Sequence, residues 1–305
     1  MNILVTGING FIGSHFLEYA LRKTDWDVAG VDITDSYVAR YENESRFRFY
    51  KFDIGWDLGN VKDLIAEADV VLLLAGIARP SEYIEHPLQV FELDFEINYR
   101  LVKLCAEMHK RIIFPSTSEV YGMGGSLPMN EDSSPLILGP IWQMRWIYSN
   151  SKQMMDRVIF ALSKEMGLRF TLIRPFNWTG PRLDTFEHAE RHQARLLTQM
   201  IHDVLHRQEI VLVDGGEQRR SFTWIGEGIE AIASIIREEK KSDGQIFNIG
   251  NPANNCSVKE LAHVLLEEMS SRPEFREAAA VTRVKSISPD VYYGKAYADT
   301  KNRIP

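Results

Sequence analysis

MNILVTGINGFIGSHFLEYALRK, residues 1–23, runs from a short apolar segment through three glycines into a helical pattern. Asn2–Thr6 reads as a buried strand, and Phe11–Lys23 as a helix with apolar residues at three- and four-residue spacing. Gly7, Gly10 and Gly13 lie between them. Glycines at that spacing let a backbone turn tightly, approach a pyrophosphate and face its charge with a helix N-terminus. Asn9, Phe11 and Ile12 belong to the same turn and are candidate cofactor contacts. Asp27–Asp32 reads as the second strand. Its last residue, Asp32, sits about 20 residues past the glycines, where a carboxylate receives a ribose 2′-hydroxyl and repels the extra phosphate of NADP. The stretch therefore predicts a dinucleotide site, with NAD as cofactor.

Outward from there the alternation continues. Arg46–Asp53 reads as a third strand, and Val70–Ala75 is a near-continuous apolar run of the kind buried on both faces. Pro87 opens a helical pattern to about His109. Arg111–Pro115 is the next strand, Trp146–Met166 a long helix and Arg169–Arg174 the sixth strand. Repeated βα units predict an α/β fold, a doubly wound parallel (Rossmann) sheet with right-handed crossovers. Ile54, Leu74, Ala75 and Pro175 fall at strand ends, where such sheets bind ligands. Asp53 is equally an adenine contact or an ordinary strand-end turn. Beyond Pro175 the order loosens: Trp178–Arg191 is rich in charge and turn formers. Helices follow at Gln193–Arg207, Gly226–Glu239 and Val258–Ser270, with short strands at Glu209–Asp214 and Ser221–Trp224. The expected division is a dinucleotide domain over 1–175 and a smaller substrate lobe over 176–305, with the chain free to cross back.

The 305 residues include 35 Lys+Arg and 42 Asp+Glu, a formal charge of -7, with 45% hydrophobic and 25% charged residues. That composition supports a sizeable globular core, and the negative charge disfavours a nucleic-acid partner. The longest apolar stretch, Val70 to Ala78, falls well short of the ~20 residues of a membrane helix, so no membrane partner is expected. The N-terminus lacks the basic start of a signal peptide. Cys105 and Cys256 are too few for a disulfide framework, which points to a reducing cytoplasm. His188/His192 and His202/His206 have i,i+4 spacing without the HExxH order, so no metal is expected.

Tyr148 and Lys152 of YSNSK lie one helical turn apart on one face. A neighbouring ammonium lowers a tyrosine from its ordinary ~10 and lets it take a proton near neutral pH. Alone, the pair reads as a snorkelling lysine beside a core tyrosine. Joined to a dinucleotide fold with Ser116-Thr117-Ser118 at the end of the fifth strand, it reads as a base whose substrate hydroxyl Thr117 also binds.

GINGFIG, YSNSK, RPFNWTGPR, GGEQRRSF and FNIGN match landmarks of one family. From Met1 to Pro305 the chain resembles the extended short-chain dehydrogenases/reductases that act on nucleotide sugars. VFELDFEIN, RIIFPSTSEVYGM, RWIYSNSK, RPFNWTGPRLD and YYGKAYAD most resemble the decarboxylase domain of the bifunctional aminoarabinose (polymyxin-resistance) enzyme, which serves lipid A modification. The resemblance implies NAD-dependent oxidation of UDP-glucuronic acid at C4, followed by loss of carbon dioxide to give a UDP-4-keto-pentose. It further implies that Ser118 and Glu119 mark the decarboxylases and that Arg303 is a proton donor or carboxylate partner. A guanidinium with its very high pKa is better suited to the second role. Tyr297 matches a substrate contact. Arg145, Asn177, Arg182, Arg195 and Arg220 are the candidates for uridine diphosphate, since guanidinium groups suit phosphate oxygens. A homodimer is implied through Phe91–Met108 and Trp146–Met166, faces that otherwise read as core. UDP-xylose synthase, which reduces the ketone again, is the nearest alternative. A 4-epimerase is disfavoured by Glu119, and a non-catalytic NAD-binding protein by the intact Thr117, Glu119, Tyr148 and Lys152. The resemblance also implies about 40 further residues of terminal helices after Arg303.

Overall fold

β1 (Asn2–Thr6) takes an interior place in a parallel sheet because Ile3, Leu4 and Val5 are apolar toward both faces and fully buried. The computed structural model describes residues 1–124, 128–292 and 302–305. The chain continues through α1 (Phe11–Lys23), β2 (Asp27–Asp32), β3 (Phe47–Lys51), α2 (Leu58–Glu67) and β4 (Val70–Leu73). Next come α3 (Pro80–Glu85), α4 (Pro87–Phe91), a π-helical turn over Glu92–Ile97, α5 (Asn98–Glu107) and β5 (Arg111–Pro115). α6 (Trp146–Met166) and β6 (Arg169–Pro175) close the expected dinucleotide unit. Gly167 ends α6 at φ 69, a left-handed conformation that costs glycine little.

After β6 come β7 (Trp178–Thr179), α7 (Phe186–Glu190), α8 (Leu196–His206), β8 (Glu209–Val213), β9 (Arg219–Ser221) and β10 (Thr223–Trp224). They are followed by α9 (Ile225–Arg237), α10 (Glu239–Ser242), β11 (Gln245–Ile249), β12 (Asn255–Ser257) and α11 (Val258–Ser271). α12 (Arg276–Val281), β13 (Arg283–Ile287) and β14 (Asn302–Arg303) complete the elements that matter for the site.

The main sheet has seven strands in the order β11-β6-β5-β4-β1-β2-β3, all parallel. On one face Phe16, Leu17 and Ala20 of α1 meet Ile229, Ile232 and Ile236 of α9. On the other, Val61 and Ile65 of α2, Leu101 and Cys105 of α5, and Met155 and Ile159 of α6 make a second apolar layer. β11 pairs with β6 from Gln245↔Thr171 to Ile249↔Pro175, so this late strand forms one edge of the sheet that the first 175 residues build. A separate core of Met200, Val204, Ile210, Leu212, Ala262 and Met269 packs α8, β8 and α11 together. There β8 and β13 pair in parallel, and a small sheet runs β12-β9-β14.

Two expectations change. The helix opened by Pro87 is not one regular α-helix, because the π turn widens it at Glu92–Ile97 and His109 (φ 52) ends the run. The charged stretch Trp178–Arg191 also contains β7 and α7, the latter started by a reciprocal capping box between Thr185 and His188. Among the described residues no helix is long and apolar enough to cross a membrane, and both cysteines are free thiols.

Candidate active site

The glycine turn is a cradle that side chains would fill. Gly7 has φ +71, and a Cβ there would lie 2.8 Å from Ala75 N and 2.9 Å from the Leu74 carbonyl carbon. A Cβ on Gly13 would lie 2.5 Å from Gly7 O. Gly10 is the N-cap of α1 and places no side chain over the first turn, where Phe11 and Ile12 are half-buried. The turn is tied to the exit of β2. Gly7 N donates to Val31 O at 2.8 Å, and Asn9 N donates to Asp32 Oδ2 at 2.9 Å. Asn9 Nδ2 donates to Thr34 Oγ1 at 2.7 Å, while its Oδ1 accepts from Tyr37 N at 2.7 Å. Burial pushes the Asp32 carboxyl up, and the Thr34 and Asn9 amides pull it back. Leu74 and Ala75 form the facing wall, held by bonds from their N–H groups to Thr6 O (3.0 Å) and Thr6 Oγ1 (3.4 Å). A pyrophosphate on the open helix start and a ribose at Asp32 fit these residues. Asp53 closes a turn by accepting from Gly55 N at 2.7 Å, and Ile54 is buried in the core beside Leu4 and Val31. Pro175 is half-buried at the end of β6.

Beside the carboxyl end of β5, α6 brings Tyr148, Ser149 and Lys152 inward, all buried. Thr117 caps the 3₁₀ turn Ser118–Tyr121, its Oγ1 accepting from Glu119 N at 3.2 Å, and its hydroxyl bonds that of Tyr148. Ser118 opens the turn and is buried. Behind it, Ser116 Oγ donates to Asp156 Oδ2 at 2.9 Å, and Arg174 holds the same oxygen at 3.1 Å.

The Tyr148 hydroxyl stands above its ordinary value rather than below it, against the expectation from Lys152. Burial is the largest influence and pushes the Tyr148 hydroxyl well up; the charges of Asp94 and Glu119 add to it. Lys152 cannot oppose them fully, since its ammonium is 3.0 Å from Asp94 Oδ1 and 5.8 Å from the Tyr148 ring centre. Tyr83 covers the tyrosine, its ring stacked at 4.5 Å and 7°.

Glu119 lies between two guanidinium groups. Arg145 Nη2 is 3.1 Å from Oε2 and Arg303 Nη1 is 3.1 Å from Oε1, with Ser149 Oγ donating to Oε2 at 3.5 Å. Burial alone would raise this carboxyl; Arg303, then Arg145, overcome it and hold it at about 2. Arg303 is fixed because β14 pairs with β9, setting it in register with Arg220, and its carbonyl accepts from Ser221 Oγ at 3.3 Å. Asn177 (φ 42) reaches the same strand, donating from Nδ2 to Ser221 O at 3.2 Å.

Thus Thr117, Ser118, Glu119, Arg145, Tyr148, Lys152 and Arg303 converge, with Arg220 and Asn177 beside them. Arg182 does not join them: it lies against α1, 3.1 Å from Glu18 Oε2. Arg195 is held by Asp184 at 3.1 Å, though its charge still reaches Tyr148. Tyr297 lies outside the described residues. Sequence reasoning missed Tyr83 and Asp94; the second had a signal, an acid in the apolar heart of a helix. His188 serves its capping box and His202 packs on Phe186. Among the described residues no group of three or more His, Cys, Asp or Glu could hold a metal.

The pattern of the NAD dependent epimerase/dehydratase family matches residues 3–250. The chain belongs to that family. Its cofactor is NAD. Among solved structures, this epimerase/dehydratase family member is similar to the PbgP3 protein from Burkholderia pseudomallei. The two are 40% identical over 100% of this chain and 87% of that one, with a TM-score of 0.87. It is similar in fold to the UDP-glucuronic acid 4-epimerase from Bacillus cereus, solved with UDP-glucuronic acid and NAD (22% identity, 100% of this chain and 90% of that one, TM-score 0.78). The fold is also that of dTDP-glucose 4,6-dehydratase from Bacillus anthracis str. Ames in complex with NAD (20% identity, 100% and 87% covered, TM-score 0.78).

Proposed function

We propose that this epimerase/dehydratase family member oxidises UDP-glucuronic acid at C4 and releases its carboxyl as carbon dioxide, leaving a UDP-4-keto-pentose. The observation that carries the reading is a carboxylate-binding pair, Arg145 and Arg303, already holding Glu119 beside the Thr117–Tyr148 hydroxyl pair. A neutral sugar has no use for two buried guanidiniums at its reacting end, whereas the carboxylate of a uronic acid does.

NAD, bound on the Gly7–Gly13 turn, supplies the acceptor for the hydrogen that leaves C4 with its electron pair. In the small fraction that is ionised, Tyr148 takes the C4 hydroxyl proton, and Thr117 hydrogen-bonds the same oxygen and keeps it in line. The C4 ketone is β to the carboxylate, so when the C5–carboxyl bond breaks its electrons pass to the ketone oxygen. The Thr117 and Tyr148 hydroxyls donate to that enolate oxygen where its charge develops. Arg145 and Arg303 hold the leaving carboxylate next to Glu119, and departure of carbon dioxide relieves the repulsion between two like charges. Glu119 and Ser118 order a water that relays a proton from solvent to C5 while Arg303 stays charged, and the proton that Tyr148 took from the C4 hydroxyl returns to solvent, so the protons balance. Arg220 and Asn177 bind the uridine diphosphate, and Arg195 joins them by exchanging Asp184 for a phosphate oxygen.

Incubation with UDP-glucuronic acid and NAD tests this directly. NADH and a 4-keto-pentose in equal amounts support it. UDP-xylose without NADH would make the protein a UDP-xylose synthase, and UDP-galacturonic acid would make it an epimerase. We also infer a homodimer through the outer face of α4 to α6. Leu88, Met154 and Phe160 are exposed there, and Phe91, Phe95 and Tyr99 form a stacked ladder. Sedimentation at the mass of one chain would contradict it.

A further inference from the structure

Asp94 is an acid in a place that an apolar residue would fill. It is wholly buried in the π turn Glu92–Ile97, amid Leu93, Phe95 and Ile97, which pack on the second apolar layer. A π turn adds a residue to a helical turn and rotates the residues beyond it, and such turns gather at functional sites. Here the turn aims Asp94 at α6, where Lys152 Nζ lies 3.0 Å from Oδ1. The other oxygen, Oδ2, accepts from Ile77 N at 2.9 Å. Asn98, one turn on, donates from Nδ2 to Ala75 O at 3.0 Å and to Leu93 O at 2.7 Å, bracing the cofactor wall against the same turn. Gly76 leaves room for the pair, since a Cβ there would be 2.6 Å from Asp94 Oδ1 and 3.6 Å from Lys152 Nζ. Burying two charges is costly where apolar packing is available, which makes a purely structural reason for the pair weak.

We propose that Asp94 is a positioning residue for the reaction, holding the Lys152 ammonium in a buried ion pair and so governing how much of its charge reaches the Tyr148 hydroxyl. The proposal rests on Tyr148 being the base. The charged and titratable groups facing the pair and Tyr148 come from several elements. They are Asp94 from the π turn, Tyr83 from α3, and Glu119 from the 3₁₀ turn with Arg145 and Arg303 behind it. Arg195 faces them from the start of α8, and Asp156 from α6 with Arg174 on it. Of these anions Asp94 alone is ion-paired to Lys152 among the described residues, and after burial its charge is the largest influence keeping the proton on Tyr148. Removing that charge acts twice in one direction, by withdrawing an anion from the phenolate and by releasing the ammonium toward it.

The test is the pH profile of kcat for NADH formation from UDP-glucuronic acid. In Asp94→Asn the acid limb moves to lower pH by roughly one unit, the size expected for one nearby charge; an unmoved limb, or one moved upward, overturns the proposal. Asp94→Glu keeps the charge and misplaces it, so kcat falls while the limb stays put; a limb displaced as in Asp94→Asn overturns it too. A sugar-free readout separates this from the proposed activity. The ¹⁵Nζ resonance of Lys152, identified by its loss in Lys152→Met, is protected from exchange in the wild type and loses protection in Asp94→Asn. Equal protection in both contradicts the hold. Wild-type protein that forms no NADH defeats the functional reading, while the resonance still decides Asp94.

Discussion

Replacing Glu119 by Gln removes the anion between Arg145 and Arg303 while keeping its shape. The carboxyl is held at about 2 against an ordinary 4.5, and its side chain is 14% exposed, so solvent screens the interaction little. At about 1.36 kcal/mol for each pH unit, the charged form stabilises the fold by roughly 3 kcal/mol. The sign is that of a depressed carboxyl. The contribution is complete above 4.5, where the unfolded carboxyl is already ionised, and it is lost as the pH falls through about 2. Glu119→Gln is therefore expected to be less stable than the wild type by roughly 3 kcal/mol at pH 7 and roughly 2 kcal/mol at pH 3.5, converging below that. Urea unfolding followed by tryptophan fluorescence at both pH values measures it. The same variant leaves two buried guanidiniums without their internal carboxylate, so UDP-glucuronic acid binds more tightly while carbon dioxide release slows. A variant as stable as the wild type at pH 7, or a gap that does not narrow below pH 4.5, refutes the electrostatic reasoning.

Two further substitutions probe the neighbouring parts. Tyr148→Phe keeps the stack on Tyr83 but has no group to take the C4 proton; stopped-flow absorbance at 340 nm is expected to show NADH formation reduced by at least ~1,000-fold, within the span typical of acid–base groups. Gly7→Ala meets the Ala75 backbone at 2.8 Å from a left-handed φ of +71, and titration calorimetry is expected to show NAD binding weakened about tenfold or more; unchanged affinity would remove the glycine turn from the cofactor site.

What the sequence disclosed was local. The first strand, the glycine turn and α1 announce themselves because each signal lies within a few residues of the next, and Tyr148 and Lys152 share a face because a helix dictates it. β11 was missed: Gln245–Ile249 is a five-residue edge strand, half-buried, with little of the apolar run that exposed β1 and β4. Which arginines converge depends on contacts far apart in the chain. Arg303 reaches Glu119 because β14 pairs with β9, whereas Arg182 has Glu18 and Arg195 has Asp184 as partners. The Asp94 partner of Lys152 is hidden for the same reason, since it arrives from another helix through a π turn that periodicity does not reveal.

The central claim is that Arg145, Arg303 and Glu119 serve the decarboxylation of a uronic acid oxidised at Thr117 and Tyr148. UDP-glucuronic acid labelled with ¹³C at its carboxyl, incubated with the protein and NAD and followed by NMR, tests it most directly. The prediction is labelled carbon dioxide rising in step with NADH and an unlabelled UDP-4-keto-pentose; label retained in a nucleotide sugar while NAD-dependent turnover proceeds would contradict it.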